Sequence, residues 1–122
     1  MKTSELTGAA LDWAVAKCEG IELESGYGVQ ETSGYYDRLL VDGRMSKGQS
    51  MLVRYTPSTD WAQAGELIEK EMVSLEWTGE DWMAYIWHDR EYFGPTPLVA
   101  AMRCYVDHVI GDEVDIPEGV QA

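Results

Sequence analysis

Four residues of this chain could hold a soft metal ion: Cys18, His88, Cys104 and His108. Together they make up the Cys2His2 set that zinc favours. Their spacing argues against such a site. Only Cys104 and His108 lie close together, four apart on one predicted helix, whereas a structural zinc site normally shows at least one close pair of cysteines. The pattern predicts a small buried thiol and a half-exposed imidazole, and no metal or other cofactor is expected. The densest run of ionisable groups, His88, Asp89, Arg90 and Glu91, places a histidine beside acids, as a general base would require. It falls where a predicted strand runs out, and no serine or cysteine nucleophile is tied to it by a motif. The chain has no GxSxG, P-loop, GxGxxG or HExxH pattern, so the sequence favours a non-enzymatic protein. Two predicted helix starts, after Asp60 and after Thr96, offer backbone N–H groups that could hold an anion. Ser58, Asp60 and Thr96 can satisfy those donors themselves.

The elements that would position these residues are legible to different degrees. Residues 94–111, GPTPLVAAMRCYVDHVIG, specify a helix completely. Thr96 can cap it, Pro97 suits its first turn, and Gly111 can end it. Leu98, Ala101, Met102, Tyr105, Val106 and Val109 recur at helical spacing and form an apolar stripe. A first helix is predicted over 7–19, with Thr7 as cap and Gly20 as terminator. It carries apolar rows on two sides and a narrow acidic stripe through Glu5, Asp12 and Glu19. Either it lies between a sheet and another segment, or Trp13 belongs to a contact with a second chain. Residues 20–36 read as a loop with a short strand at 21–23. Strands are expected at 38–41 and 51–55, joined through the turn signal Asp42-Gly43 and a tip holding Arg44 and Lys47. A short helix over 61–70 follows the turn residues Pro57 to Asp60, weakened by Gly65.

Alternation then takes over. Val73, Leu75 and Trp77 oppose Met72, Ser74 and Glu76, and after a turn at 78–81, Trp82, Ala84 and Ile86 oppose Met83, Tyr85 and Trp87. Large apolar groups on both faces of the second strand imply a central place in a sheet or a face covered by another subunit. A last strand is expected at 113–116. The fold class that follows is α+β: a mainly antiparallel sheet of four to five strands packed with two main helices, about 7–19 and 97–110, and a short helix, about 61–70.

With 122 residues, 45% of them hydrophobic, the chain has the size of one domain with its own core. Nine basic residues face twenty-two acidic ones, giving a formal charge of −13. That balance disfavours direct nucleic-acid binding, which needs a basic face. No apolar run is long enough for a membrane helix. Two cysteines in a chain of this size fit a reducing cytoplasm better than a disulfide scaffold. The simplest meaning of the acidity is a solvated surface. The sharper one is imitation of a nucleic-acid backbone, which would require Glu66, Glu69, Glu76, Glu80, Asp81 and Asp112 to form one strip.

Three blocks carry a family resemblance: MKTSELTGAALDWAVAKCEG at the start, YTPSTDWAQAGELIEKE in the middle and GPTPLVAAMRCYVDHVIGDEV near the end. In order and approximate spacing they resemble the small NinX-type proteins encoded by lambdoid phages and prophages, a family without an established reaction. The resemblance implies an accessory protein working in the bacterial host cytoplasm. It also implies that a shared functional surface would involve Ser58, Thr59, Asp60 and Trp61 together with Gly94, Pro95, Thr96 and Arg103. The leading expectation is a non-enzymatic binding protein acting through contacts with another protein or a small ligand, a homo-oligomer with a possible host protein partner. The alternative is an acidic DNA mimic that inhibits a host DNA-binding protein or nuclease.

Overall fold

The computed structural model describes residues 1–21, 35–38, 51–87, 90–117 and 120. A 3-10 turn, Thr3–Glu5, leads into helix α1, Gly8–Glu19. Strands β1, Tyr35–Arg38, and β2, Met51–Arg54, precede helix α2, Trp61–Glu71. Strands β3, Val73–Trp77, β4, Trp82–Ile86, and β5, Tyr92–Gly94, come next, and helix α3, Pro97–Val109, closes the set.

The expected α+β class holds, but among the described residues the strands do not form a single sheet of four to five. The strands divide into an antiparallel pair, β1-β2, and an antiparallel sheet in the order β3-β4-β5. The division has a local cause. Beyond β2 the chain reaches Pro57 and a turn in which the N–H groups of Thr59 and Asp60 both donate to the Thr56 carbonyl at 3.0 and 2.9 Å. This turn sends the chain directly into α2, which packs against the β3 edge. In β1, only Arg38 of the expected 38–41 strand is described. The Asp42-Gly43 turn, Arg44 and Lys47 lie outside the described residues, as does most of the expected strand at 21–23. Ile21 itself belongs to the end of α1: its N–H donates to the Ala16 carbonyl and that of Gly20 to Lys17, closing the helix over a left-handed Gly20 at φ 71°.

The β3–β4 hairpin follows the alternation in the sequence. Val73 pairs with Ile86, Leu75 with Ala84 and Trp77 with Trp82, so those six side chains share one face. Strand β4 is central, paired with β3 on one edge and β5 on the other. The short β5, unforeseen from sequence, adds Gly94 opposite Trp82 and Phe93 opposite Met83. The last strand expected at 113–116 is reduced to one bridge between Lys2 and Glu113. The remaining contacts are the Val114 N–H to the Met1 carbonyl and the terminal ammonium of Met1 to the Val114 carbonyl, both 2.9 Å.

Helix α3 is the hub. It packs against all three strands of the larger sheet, against α1 and α2, and against the 3-10 turn. Its buried residues include Val99, Ala100 and Cys104 as well as the predicted stripe, while Val109 is 48% exposed. The stripe therefore understated the burial of this helix: it is covered on most sides. Thr96 caps it through a 3.1 Å bond from the Val99 N–H, and Asp60 caps α2 by accepting from the Ala62 N–H at 2.9 Å. Thr7 occupies the start of α1 in extended conformation but makes no side-chain cap bond.

Candidate functional site

The acidic stripe of α1 is not a solvated face. Asp12 is buried, and its carboxylate accepts the Ser58 N–H at 2.8 Å and the Ser58 hydroxyl at 3.0 Å. Ser58, expected to serve a helix start or a ligand, is therefore committed to holding the turn before α2 onto α1. At the other end of α1, Glu19 accepts a hydrogen bond from the Tyr105 hydroxyl and lies 3.5 Å from the Lys70 ammonium. His108 Nε2 sits 3.3 Å from a Glu71 carboxylate oxygen. These groups join the C-terminal ends of α1, α2 and α3. Burial, aided by the bond to Glu19, raises the Tyr105 phenol well above its ordinary range.

The other predicted site residues separate into two blocks. Around α2, Thr59 is exposed with its hydroxyl 3.4 Å from the Thr56 carbonyl, Asp60 is the cap, and Trp61 is 56% exposed on the first turn. Around α3, Thr96 is the cap and Gly94 is a point of close approach. A Cβ on Gly94 would fall 2.7 Å from the Ala100 nitrogen and 2.9 Å from a Val99 methyl, so only glycine lets β5 meet the start of α3. No hydrogen bond or ion pair among the described residues joins the two blocks.

Arg103 is half-buried on α3. Its Nε donates to the Leu6 carbonyl at 2.8 Å and one terminal nitrogen to the Phe93 carbonyl at 2.6 Å, tying the N-terminal segment to β5. Burial lowers its pKa, and it meets no carboxylate among the described residues. Beside it opens a groove of about 470 Å³ lined by Ser4, Arg90, Glu91, Tyr92, Phe93 and Arg103. Across the groove Arg90 lies 3.1 Å from Asp107 and 3.6 Å from Asp112. Burial first, and a hydrogen bond to Asp107 second, push the Tyr92 phenol up to about 12. Sequence reasoning missed this groove, because Ser4, Arg90 and Arg103 lie far apart in sequence and are brought together by the Arg103–Leu6 and Arg90–Asp107 contacts and by β5, a strand too short to alternate.

Of the Cys2His2 set, Cys18, Cys104 and His108 fall among the described residues. Cys104 is buried and Cys18 half-buried, its thiol pushed up to about 12 by burial. His108 turns to Glu71, and His88 lies outside the described residues along with Asp89. Among the described residues no group of three or more His, Cys, Asp or Glu side chains is placed to hold a metal ion.

A third feature lies at the Val73–Ile86 end of the hairpin. Met72 and Trp87 flank that pair just outside the two strands, Met72 as the left-handed cap that ends α2, and are 69% and 74% exposed. Both have positive φ, 55° and 58°. The left-handed conformation costs a non-glycine residue about 1–2 kcal/mol, so two large apolar side chains are held in the open on strained backbone. At the other end Trp77 is 54% exposed and leans on Trp82, ring centroids 5.5 Å apart and 58° between planes. Trp13 is half-buried against the core with the Lys17 ammonium 5.2 Å above its ring.

These features define a small acidic α+β protein organised around one central helix, with Trp61, Trp77 and Trp87 among its exposed large hydrophobic side chains. The family described as Bacteriophage P22, NinX matches residues 2–108, and the chain belongs to that family. It is accordingly a phage accessory protein. No curated protein matches the chain. Among the described residues no helix is long and apolar enough to cross a membrane.

Proposed function

We propose that the protein is a non-enzymatic accessory factor that acts in the bacterial host cytoplasm by binding another protein, and that the Met72–Trp87 end of the β3–β4 hairpin is its contact surface. The observation that carries this reading is the pairing of exposure with strain at those two residues. An exposed apolar side chain in a left-handed conformation contributes nothing to the fold that glycine would not improve, whereas a bound partner would give both side chains something to bury. The occupant is a host protein with an apolar pocket rimmed by basic groups, because the whole chain carries −13. Self-association has the same charge working against it.

The DNA-mimic alternative has less support. Of the six carboxylates it needs, Asp112 lies 3.6 Å from Arg90 and Asp81 accepts a 2.7 Å bond from Thr78.

The test uses the full chain as bait in infected host cells, beside the double variant Met72→Gly, Trp87→Gly. Glycine relieves both strained positions, so this variant should be as stable as the parent or more so. A host protein retained by the parent, lost by the equally folded variant and captured again by direct mixing of purified components supports the reading. Capture of the same proteins by both overturns it. Light scattering of the purified parent reads out self-association: a dimer dispersed by the same double variant would replace the host partner with a second copy.

A further inference from the structure

The groove beside β5 has a chemistry of its own. Arg103 offers five N–H donors, of which two are taken by the Leu6 and Phe93 carbonyls. Those carbonyls fix the plane of the guanidinium without neutralising its charge, and no described carboxylate pairs with it. The three donors that remain belong to a group that already lines the groove. Arg90, on the same groove, is shared between Asp107 and Asp112, so its charge is more than balanced locally. Glu91 adds a further negative charge to the lining. Ser4 and Phe93, the latter 44% exposed, also line the groove and add one polar and one apolar residue to it.

We propose that this groove binds a monocarboxylate carried on an apolar or aromatic body, its two oxygens on Arg103 and Ser4 and its body against Phe93. The unpaired guanidinium of Arg103, rather than the net charge around the groove, selects the ligand. One guanidinium without a counter-ion suits one negative charge, and a planar carboxylate fits its fork. A phosphate dianion would bring a second charge close to Glu91, Asp107 and Asp112. A volume of about 470 Å³ is in the range of small-ligand sites and would equally admit the end of a polypeptide. The carboxylate can therefore come from a free small acid or from a chain terminus. None of the groove residues is shared with the Met72–Trp87 surface, so either proposal can fail alone.

The test is titration of the isotope-labelled full chain by NMR with phenylacetate, phenylacetamide and phenyl phosphate, and with a short peptide ending in phenylalanine as free acid and as amide. The expected result is saturable shifts at the amides of Ser4, Phe93 and Arg103 with a carboxylate probe, at least tenfold weaker with its amide counterpart and with phenyl phosphate. Tighter binding of the peptide acid than of phenylacetate assigns the site to a chain end, and the reverse assigns it to a small acid. Arg103→Lys should weaken binding at least tenfold. Because Arg103 also ties the fold, Ser4→Ala and Phe93→Ala, both at exposed positions, serve as second variants, each expected to weaken binding severalfold with an unchanged spectrum elsewhere. Absence of saturable shifts at these residues, equal response to acid and amide, or indifference to both second variants overturns the proposal.

Discussion

Replacing Asp12 tests the inward reading of α1 directly. On an outward acidic stripe, Asp12→Ala would change stability by about 0.5 kcal/mol or less, as exposed substitutions do. In the structure Asp12 is 2% exposed and Ser58 3% exposed, and the carboxylate accepts both the Ser58 N–H at 2.8 Å and its hydroxyl at 3.0 Å. A hydrogen bond to a charged acceptor contributes about 1.5–3 kcal/mol, and removing the acceptor leaves two buried donors unpaired, so Asp12→Ala should cost about 3–5 kcal/mol. For a domain of this size that corresponds to a fall in Tm of about 10–20 °C. Asp12→Asn keeps an acceptor for the N–H while the hydroxyl turns to accept from the amide, and should cost about 1–2 kcal/mol. Urea unfolding followed by circular dichroism measures all three proteins, together with Ser58→Ala and the double variant. The double variant should be less destabilised than the sum of its parts, because the orphaned hydroxyl is gone. A loss under about 1 kcal/mol for Asp12→Ala, or strict additivity with Ser58→Ala, would refute the clamp.

Two further outcomes follow from the geometry. Gly94→Ala forces a Cβ to within 2.7 Å of the Ala100 nitrogen, which backbone cannot yield cheaply. A loss of about 2 kcal/mol or more is expected in the same urea assay, and a neutral result would mean that β5 and α3 are not in close contact. The Tyr92 phenol has its pKa raised from 10.0 to about 12, and the Cys18 thiol from 9.0 to about 12. In both cases the unfolded chain gives up its proton first, so their stabilising contribution is whole below the unfolded values and is lost as pH rises towards 12. Stability should therefore fall through that alkaline window. Cys18→Ala and Tyr92→Phe should each flatten the slope, which unfolding curves at stepped pH would show.

Capping and alternation were the legible parts of the fold. Thr96, Pro97 and Asp60 act locally, and their side-chain chemistry marks a helix start whatever surrounds it. The β3–β4 hairpin was readable because its large residues alternate over two full strands. What stayed hidden depends on partners far away in sequence. Helix α1 is apolar on nearly every side, so its sequence could not tell whether Asp12 and Glu19 met water or were met by Ser58 and Tyr105. Strand β5 is three residues long and ends in glycine, giving alternation nothing to show. The candidate site was legible by residue more than by role: Ser58, Asp60, Thr96 and Gly94 were singled out, and each proves to hold the structure. Arg103 was singled out too, and it has donors beyond those the fold uses.

The distribution of spare capacity is the better guide to function. Helix α3 touches every element of the larger sheet and both other helices, so most substitutions along it would be felt as instability before any effect on binding could be read. The block of sequence that most plainly marks the family is thus the block least able to reveal a ligand through mutagenesis. A binding function must use what the fold does not need. Met72 and Trp87 are such residues, since glycine would serve the backbone better at both. The outer donors of Arg103 are another, since its tie to Leu6 and Phe93 takes only two of five. Variants at the hairpin end and at Ser4 or Phe93 change binding surfaces without touching the α3 core. They can therefore separate a lost contact from a lost fold.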